Sequence, residues 1–169
     1  MFGKEEYVFY GSEGVCVIDD IVSSPFDDVK TDEEYYVLHS LHGSGSKLFI
    51  PVARAEALMR RLMSRAEIDS LIGSIDNLPL FSENSLKALK DRYGEAMRTG
   101  KPAEWVRVIK TVYDRVRNGR GNGRKVSDAE KAFSEDAKRY LYMEVSTVLG
   151  IPVESVSEYI QNRMTKDAG

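Results

Sequence analysis

The sequence has little of the residue types that build covalent and metal sites. Among its 169 residues are one cysteine, Cys16, and two histidines, His39 and His42. A single cysteine excludes a disulfide within the chain, which fits a reducing cytoplasm. No cysteine or further histidine lies near the two histidines at a spacing suited to zinc. We therefore expect a cytoplasmic protein without a bound metal, in which Cys16 is a small buried apolar residue.

Long apolar runs and catalytic motifs are also absent. No run approaches the ~18 apolar residues of a membrane span, and the first residues, MFGKEEYVFYGSEG, show no signal peptide. A nucleophile elbow, a phosphate-binding loop and a dinucleotide fingerprint are missing. The acidic pairs Asp19-Asp20 and Asp27-Asp28 have no organised partners, so solvated loops explain them better than catalysis. We expect a binding protein that is not an enzyme and has no cofactor. A pocket with clustered acidic residues would instead indicate an enzyme.

Charge is unevenly distributed along the chain. Residues 1–83 carry 7 Lys and Arg against 15 Asp and Glu, a net charge of −8, whereas residues 84–169 carry 17 against 12, a net charge of +5. This split predicts an acidic N-terminal module and a basic C-terminal module with different partners, nucleic acid being the partner of the second. Chance segregation of charge is the alternative.

The first 63 residues have the pattern of short strands separated by turns. Strands are predicted at 7–10, 15–21, 34–41 and 47–52 from their β-branched and aromatic residues, and 57–63 is ambiguous between strand and helix. Pro51 lacks an N–H, so its strand should lie at a sheet edge or end there. Several short strands at this spacing predict a small β-barrel.

From Ser64 the apolar period becomes helical. Ser64 with Glu67, and Ser127 with Glu130, have the spacing of capping boxes that open helices. We expect a connecting helix and linker at 64–80 and an all-helical domain at 81–169, an α+β fold in which the β module comprises residues 1–63. Two predicted apolar stripes are Leu86, Leu89, Tyr93, Ala96 and Met97 in one helix, and Trp105, Val108, Ile109, Val112, Tyr113 and Val116 in the next.

The stretch from Arg107 to Lys125 is the basic centre of the C-terminal half. It contains seven basic residues and one acid, Asp114. On a helix over 102–117 the basic side chains lie largely opposite the apolar stripe, and the glycine-rich NGRGNGRK continues them into a loop. Such a face suits phosphate contacts, which give affinity without sequence information. A plain solvated helix face is the alternative, and Trp105 is expected in the core.

The order of these features resembles the CarD/CdnL family of bacterial transcription factors. The segments that carry the resemblance are YVFYGSEGV, KLFIPVARAE, RTGKPAEWVRVIKTVYDRV and KVSDAEKAFSEDAKRYLYMEV, which together span most of the chain. The resemblance implies a Tudor-like N-terminal barrel that binds the β subunit of RNA polymerase, like the related module of the transcription-repair coupling factor. It also implies a helical domain that contacts double-stranded or forked promoter DNA and stabilises the open complex, with the free protein a monomer.

The resemblance also assigns residues. The polymerase-facing strand corresponds to Lys47, Leu48, Phe49, Ile50 and Pro51, with Phe49 where family members often have a basic residue. Leu86 stands at the position of the family's wedge tryptophan, and core packing is the alternative role for this leucine. With the basic stretch, the expected DNA contacts are Leu86, Lys87, Lys90, Arg107, Lys110, Arg115, Arg117, Arg120, Arg124, Lys125 and Lys131. A protein–protein adaptor, with a peptide-binding barrel and a scaffold bundle, is the alternative function.

Overall fold

The chain folds into two compact units, Met1–Leu62 and Met63–Gly169. The computed structural model describes residues 1–23, 32–43, 45–118 and 126–168. The first unit is built on an antiparallel sheet and the second is helical, which confirms the predicted α+β class.

In the part of the first unit that the structure describes, five strands form the sheet. They are β1 (Tyr7–Tyr10), β2 (Gly14–Ser23), β3 (Glu34–Ser40), β4 (Lys47–Pro51) and β5 (Met59–Arg61), hydrogen-bonded in the order β4-β3-β2-β1-β5. A 3₁₀ turn at Gly11–Glu13 joins β1 to β2, and Gly14 after it has a φ of 76°, which explains why glycine is needed there. Asp19 is the extra residue of a β-bulge in β2, between Ile18 and Asp20.

Alternation along the strands places the core of the first unit on one face of the sheet. Val8, Cys16, Ile18, Leu38 and Ile50 are buried together there, along with Phe2, Tyr36, Ala55 and Met59. The Phe2 N–H donates to the Tyr36 hydroxyl at 3.0 Å, so the polar end of a buried aromatic side chain is satisfied. The prediction of a buried Cys16 is confirmed.

The segment after β4 differs from the prediction. Val52–Leu58 forms a helix, α1, and only Met59–Arg61 of the ambiguous stretch is a strand. α1 buries Ala55 in the core of the first unit. The sequence pattern alone could not predict this tertiary contact. β4 and β5 stand at the two ends of the hydrogen-bonded order, so closure into the expected Tudor-like barrel stays a prediction.

Among the described residues, the second unit has five α-helices: α2 (Arg65–Ser74), α3 (Leu86–Arg98), α4 (Pro102–Asn118), α5 (Asp128–Leu149) and α6 (Val156–Ala168). Both predicted capping boxes are present, Ser64 with Glu67 before α2 and Ser127 with Glu130 before α5. α5 ends at Gly150, whose φ is 68°. After Pro152 a 3₁₀ turn at Val153–Ser155 precedes α6.

The core of the second unit lies between α3, α4 and α5. Trp105 on α4 is fully buried, as predicted, and its ring centroid lies 5.8 Å from that of Tyr140 on α5. Leu89, Tyr93 and Ala96 face inward from α3, while α2 buries Ile68 and Ile72. α2, expected as a connection between halves, lies within this unit, where Arg163 of α6 donates to Asp69 at 2.7 Å.

The structural boundary changes the charge balance between the two halves. Residues 1–62 carry 6 Lys and Arg against 11 Asp and Glu, a net charge of −5. Residues 63–169 carry 18 against 16, a net charge of +2. The sign of the predicted asymmetry remains, but its size falls because Arg65, Glu67, Asp69, Asp76 and Glu83 belong to the helical unit.

Candidate functional site: an open strand and a helical surface

β4 is an open edge of the sheet. It pairs with β3 on one side, and it is the last strand in the hydrogen-bonded order of the described residues. Lys47 and Phe49 point to the exposed face, Phe49 with 37% of its surface accessible, whereas Leu48 and Ile50 pack toward the core. Pro51 ends the strand, as predicted. An edge of this kind presents backbone donors and acceptors that another chain can extend.

The opposite edge, β5, is shorter and more charged. Its three residues are Met59, Arg60 and Arg61. The Arg60 guanidinium lies 4.8 Å from the Phe9 ring centroid, and Arg61 Nε lies 3.1 Å from a carboxylate oxygen of Glu6. Short strands and charged side chains are how proteins protect edges from pairing. β4 is therefore the better docking strand of the two.

On the helical unit, Leu86 lies at the surface. It is the first residue of α3, directly after Ser85, whose hydroxyl accepts from the Ala88 N–H at 3.0 Å. Leu86 is 43% exposed, while Leu89, Tyr93 and Ala96 of the same helix are buried. The apolar stripe predicted to begin at Leu86 therefore begins at Leu89. The alternative prediction, that Leu86 packs in the core, is wrong. Lys87 beside it is exposed, and Lys90 is half-buried.

Arg107 and Lys110, two of the expected DNA contacts, have intramolecular partners. Arg107 donates to the Pro79 carbonyl at 2.9 Å and to Glu104 at 3.1 Å, and its guanidinium lies 4.2 Å from the Phe81 ring centroid. Lys110 Nζ donates to two backbone carbonyls near the end of α2, Ile75 at 2.5 Å and Leu78 at 2.7 Å. Both cations hold the segment before α3 against α4.

Phe81 anchors this segment from the other side. The ring of Phe81 is buried between the guanidinium of Arg107 and that of Arg92, which lies 4.7 Å from the ring centroid. Its backbone N–H donates to Thr111 Oγ1 at 3.0 Å. Such cation–π contacts contribute more when they are desolvated. Apolar periodicity does not indicate this arrangement, because the segment containing Phe81 is neither helix nor strand.

Arg115 also has an internal partner, the fully buried Glu130. Arg115 Nε donates to Glu130 Oε1 at 2.7 Å and Nη2 to Oε2 at 3.4 Å. The Tyr93 hydroxyl donates to the same Oε1 at 3.4 Å, and the Ser127 N–H donates to Oε2 at 3.1 Å. Burial, with a further contribution from the Glu130 charge, raises the pKa of Tyr93 above its ordinary value. The hydrogen bond that Arg115 donates to the Glu130 carboxylate raises the pKa of Arg115.

The remaining expected cations differ in their surroundings. Arg117, in the last turn of α4, and Lys131, in the first turn of α5, are exposed. Arg120, Arg124 and Lys125 lie outside the described residues. The part of the chain that the structure describes thus offers Lys87, Arg117 and Lys131 as exposed cations among those predicted, with Lys90 partly accessible.

Two side chains predicted in the core of α4 lie at its surface. Tyr113 is 66% exposed and Val116 is 48% exposed. Both were placed on the apolar stripe because their spacing fits it, but α4 buries Trp105, Val108 and Val112 instead. An exposed tyrosine and valine beside Arg117 are a feature that spacing alone did not reveal.

The acidic groups of the described residues do not form a metal site. Asp19, at the bulge of β2, lies 2.8 Å from His39 Nδ1, and Asp20 lies 2.9 Å from Lys4 Nζ. Within the described ranges no group of three or more His, Cys, Asp or Glu is placed to hold a metal ion. None of the helices described there is long and apolar enough to cross a bilayer. Asp27 and Asp28 lie outside these ranges.

Comparison with known proteins identifies the type of the first unit. No curated protein matches the chain. Residues 2–63 match the family model of the CarD-like/TRCF RID domain, and this range coincides with the β unit that carries the open strand β4. The domain type indicates a transcription-related protein that interacts with RNA polymerase. The N-terminal unit of this chain is therefore a CarD-like/TRCF RID domain, as the resemblance implied.

Proposed function

We propose that the protein is a non-catalytic transcription regulator that binds the β subunit of RNA polymerase through β4 and promoter DNA through its helical unit. In this way it stabilises the open complex. The observation that carries the proposal is that the five-residue strand β4 of the CarD-like/TRCF RID domain is the last in the hydrogen-bonded order of the described residues.

Polymerase binding through β4 is strand addition. The backbone N–H and C=O groups on the open side of β4 supply hydrogen bonds, and alternate side chains supply specificity. Lys47 and Phe49 reach the exposed face, while Leu48 and Ile50 keep the strand fixed to the core. Because Phe49 brings apolar surface where relatives often bring a cation, we expect this contact to weaken only modestly with rising salt.

DNA binding centres on the first turn of α3. Leu86 exposes an apolar side chain next to Lys87, and apolar side chains of this size insert between base steps. The N–H groups and partial positive charge of a helix N-terminus favour phosphate nearby. Arg117 and Lys131 supply further cations at exposed positions of α4 and α5. Contacts that form only with melted DNA shift the promoter toward the open complex by no more than the difference in affinity.

A pull-down with the isolated polymerase β lobe tests the first contact. We expect the intact protein to be retained and Phe49→Asp to be released. Leu58→Asp is the matched control, because Leu58 is similarly exposed on the same unit but belongs to α1 rather than β4. Failure of the intact protein to bind the lobe would refute polymerase docking through the β subunit.

Open-complex lifetime with reconstituted polymerase tests the second contact. We expect Leu86→Ala to shorten the lifetime while leaving thermal stability nearly unchanged, because Leu86 is outside the core. Val153→Ala removes an exposed apolar side chain elsewhere on the helical unit and serves as control. If the protein leaves the lifetime unchanged on several promoters, stabilisation of the open complex is not its function.

A protein–protein adaptor is the second candidate, and a specific observation favours it. Arg107, Lys110 and Arg115 all donate hydrogen bonds to groups within this chain, and the helical unit has a net charge of only +2. Titration with salt separates the two candidates. If the helical unit binds DNA, the logarithm of its binding constant should fall linearly with the logarithm of the salt concentration, with a slope of about one per phosphate contact. If the protein binds neither duplex nor forked DNA at low salt, the adaptor function is correct.

A further inference from the structure

α4 carries a second apolar stripe besides the one that packs in the core. Val106, Ile109, Tyr113 and Val116 recur at i, i+3, i+7 and i+10, the spacing of one helix face. Along this stripe Val106 is buried, Ile109 is half-buried, and Tyr113 and Val116 are exposed. The stripe therefore emerges from the packed part of the unit onto open surface near the end of the helix.

Arg117 adds a cation to this emerging surface. It is exposed and lies four residues after Tyr113, so the two side chains are neighbours on the helix. We call Tyr113, Val116 and Arg117 the Tyr113 patch. The only acid of this turn, Asp114, accepts a hydrogen bond from Asn118 Nδ2 at 2.9 Å on an adjacent face. The patch thus joins an aromatic ring, an aliphatic side chain and a positive charge without an acid among its members.

A second exposed cation lies near the end of α4 that carries the patch. The contact of Arg115 with Glu130 joins the last turns of α4 to the first turn of α5, where Lys131 is exposed. Lys131 is therefore a second exposed cation close to the end of α4 that carries the Tyr113 patch.

We propose that the Tyr113 patch binds an unpaired stretch of DNA at the edge of the melted promoter. Tyr113 stacks on the face of an exposed base, Val116 packs beside it, and Arg117 contacts a phosphate. This inference rests on the proposed DNA-binding function of the helical unit and extends it from duplex to single-stranded DNA.

Two properties of the patch favour unpaired DNA over a protein partner. Every base has a π-face on which an aromatic ring stacks, but only an unpaired or unstacked base exposes that face. The positive charge of Arg117, together with that of Lys131 near the same end of α4, complements a phosphate backbone. Tyrosine also keeps its hydroxyl in water while its ring stacks.

Binding of the full chain to two DNA probes tests the proposal. One is a fully paired duplex, and the other is a fork of the same sequence with 2-aminopurine in its unpaired strand. Stacking of Tyr113 on 2-aminopurine should quench the fluorescence of that base when the original protein binds the fork. We expect Tyr113→Ala to abolish this quenching and to weaken binding to the fork by about tenfold. Affinity for the paired duplex should remain unchanged. Tyr113→Phe should bind the fork like the original protein, because the ring stacks without its hydroxyl.

The controls separate this inference from the proposed function. Val153→Ala, an exposed apolar change elsewhere on the unit, should leave both affinities unchanged, and fluorescence of the buried Trp105 should confirm that each variant is folded. If Leu86→Ala weakens fork binding but Tyr113→Ala does not, the proposed function stands and this inference is wrong. Equal loss on fork and duplex would also overturn it, as would loss of polymerase binding instead of DNA binding. If the original protein binds neither probe, both proposals fail.

Discussion

Replacing Arg115 by methionine should destabilise the helical unit rather than reduce its affinity for DNA. Arg115→Met keeps much of the aliphatic side chain but removes the guanidinium that donates twice to Glu130. The Glu130 carboxylate is fully buried, so its charge stays in the interior with only the weaker donors Tyr93 and Ser127.

The magnitude follows from burial. Removing one partner of a buried ion pair costs about 3–5 kcal/mol, because the other charge is left uncompensated. The Arg115 side chain is 32% exposed, so water can replace part of its interaction, and we expect a smaller cost than this, about 2–3 kcal/mol. For a unit of about 100 residues this corresponds to a fall in Tm of roughly 10 °C.

The chain contains a selective probe for this measurement. Trp105 is its single tryptophan and is buried in the core of the helical unit, so its fluorescence reports the unfolding of that unit. A urea titration should show the midpoint lowered by about 1–2 M, taking a slope of roughly 1.5 kcal/mol per molar urea.

A double-mutant cycle completes the test. Glu130→Gln removes the charge but retains an oxygen that can accept from the Ser127 N–H. The double variant Arg115→Met with Glu130→Gln should therefore lose less stability than the sum of the two single changes. An unchanged urea midpoint for Arg115→Met, together with a smaller salt dependence of DNA binding, would refute the reasoning and return Arg115 to the role of a phosphate contact.

Further predictions concern four residues: Lys110, Lys131, Cys16 and Gly150. Lys110→Met should lower the free energy of unfolding, measured with urea, by about 1–3 kcal/mol, because the Lys110 ammonium donates to two backbone carbonyls. It should leave the salt dependence of DNA binding unchanged. Lys131 is an exposed cation, so Lys131→Met should reduce the salt dependence of DNA binding and leave the free energy of unfolding unchanged. Burial raises the pKa of the Cys16 thiol from 9.0 to about 12, so the folded protein should resist thiol reagents at pH 8. Because the raised pKa favours the neutral thiol in the folded state, this contribution to stability is complete below pH 9.0 and is lost as the pH rises toward 12, which denaturation at several alkaline pH values measures. Gly150→Ala should lower stability by about 1 kcal/mol, because its φ of 68° strains any L side chain although the space around it is open.

The site could be predicted from sequence only where local rules apply. β4 with its terminal Pro51 followed from a β-branched and aromatic run and a missing N–H, and both capping boxes followed from serine and glutamate at a fixed spacing. The assignment of cations to DNA used charge and helical spacing alone. That rule cannot see that Lys110 reaches carbonyls 32 and 35 residues away in the chain, or that Glu130 is buried beside Arg115.

The apolar stripes show the same limit. Periodicity correctly placed Leu89, Tyr93 and Trp105 in the core, but it also included Leu86, Tyr113 and Val116, which are exposed. Spacing defines which residues share a helix face, whereas burial depends on where neighbouring helices begin and end. Leu86 is the first residue of α3 and Val116 lies in the last turn of α4, so both are at helix ends.

The sequence by itself determined the division into a strand-forming half and a helix-forming half, the helix caps, and the resemblance that the match of residues 2–63 confirmed. These features depend on interactions between residues close together in the chain. The tertiary structure alone decided which strand is an open edge, which cations are held by internal partners, and which apolar side chains reach the surface. Those properties arise from contacts between residues far apart in sequence, since burial and pairing are set by the neighbours that folding brings together.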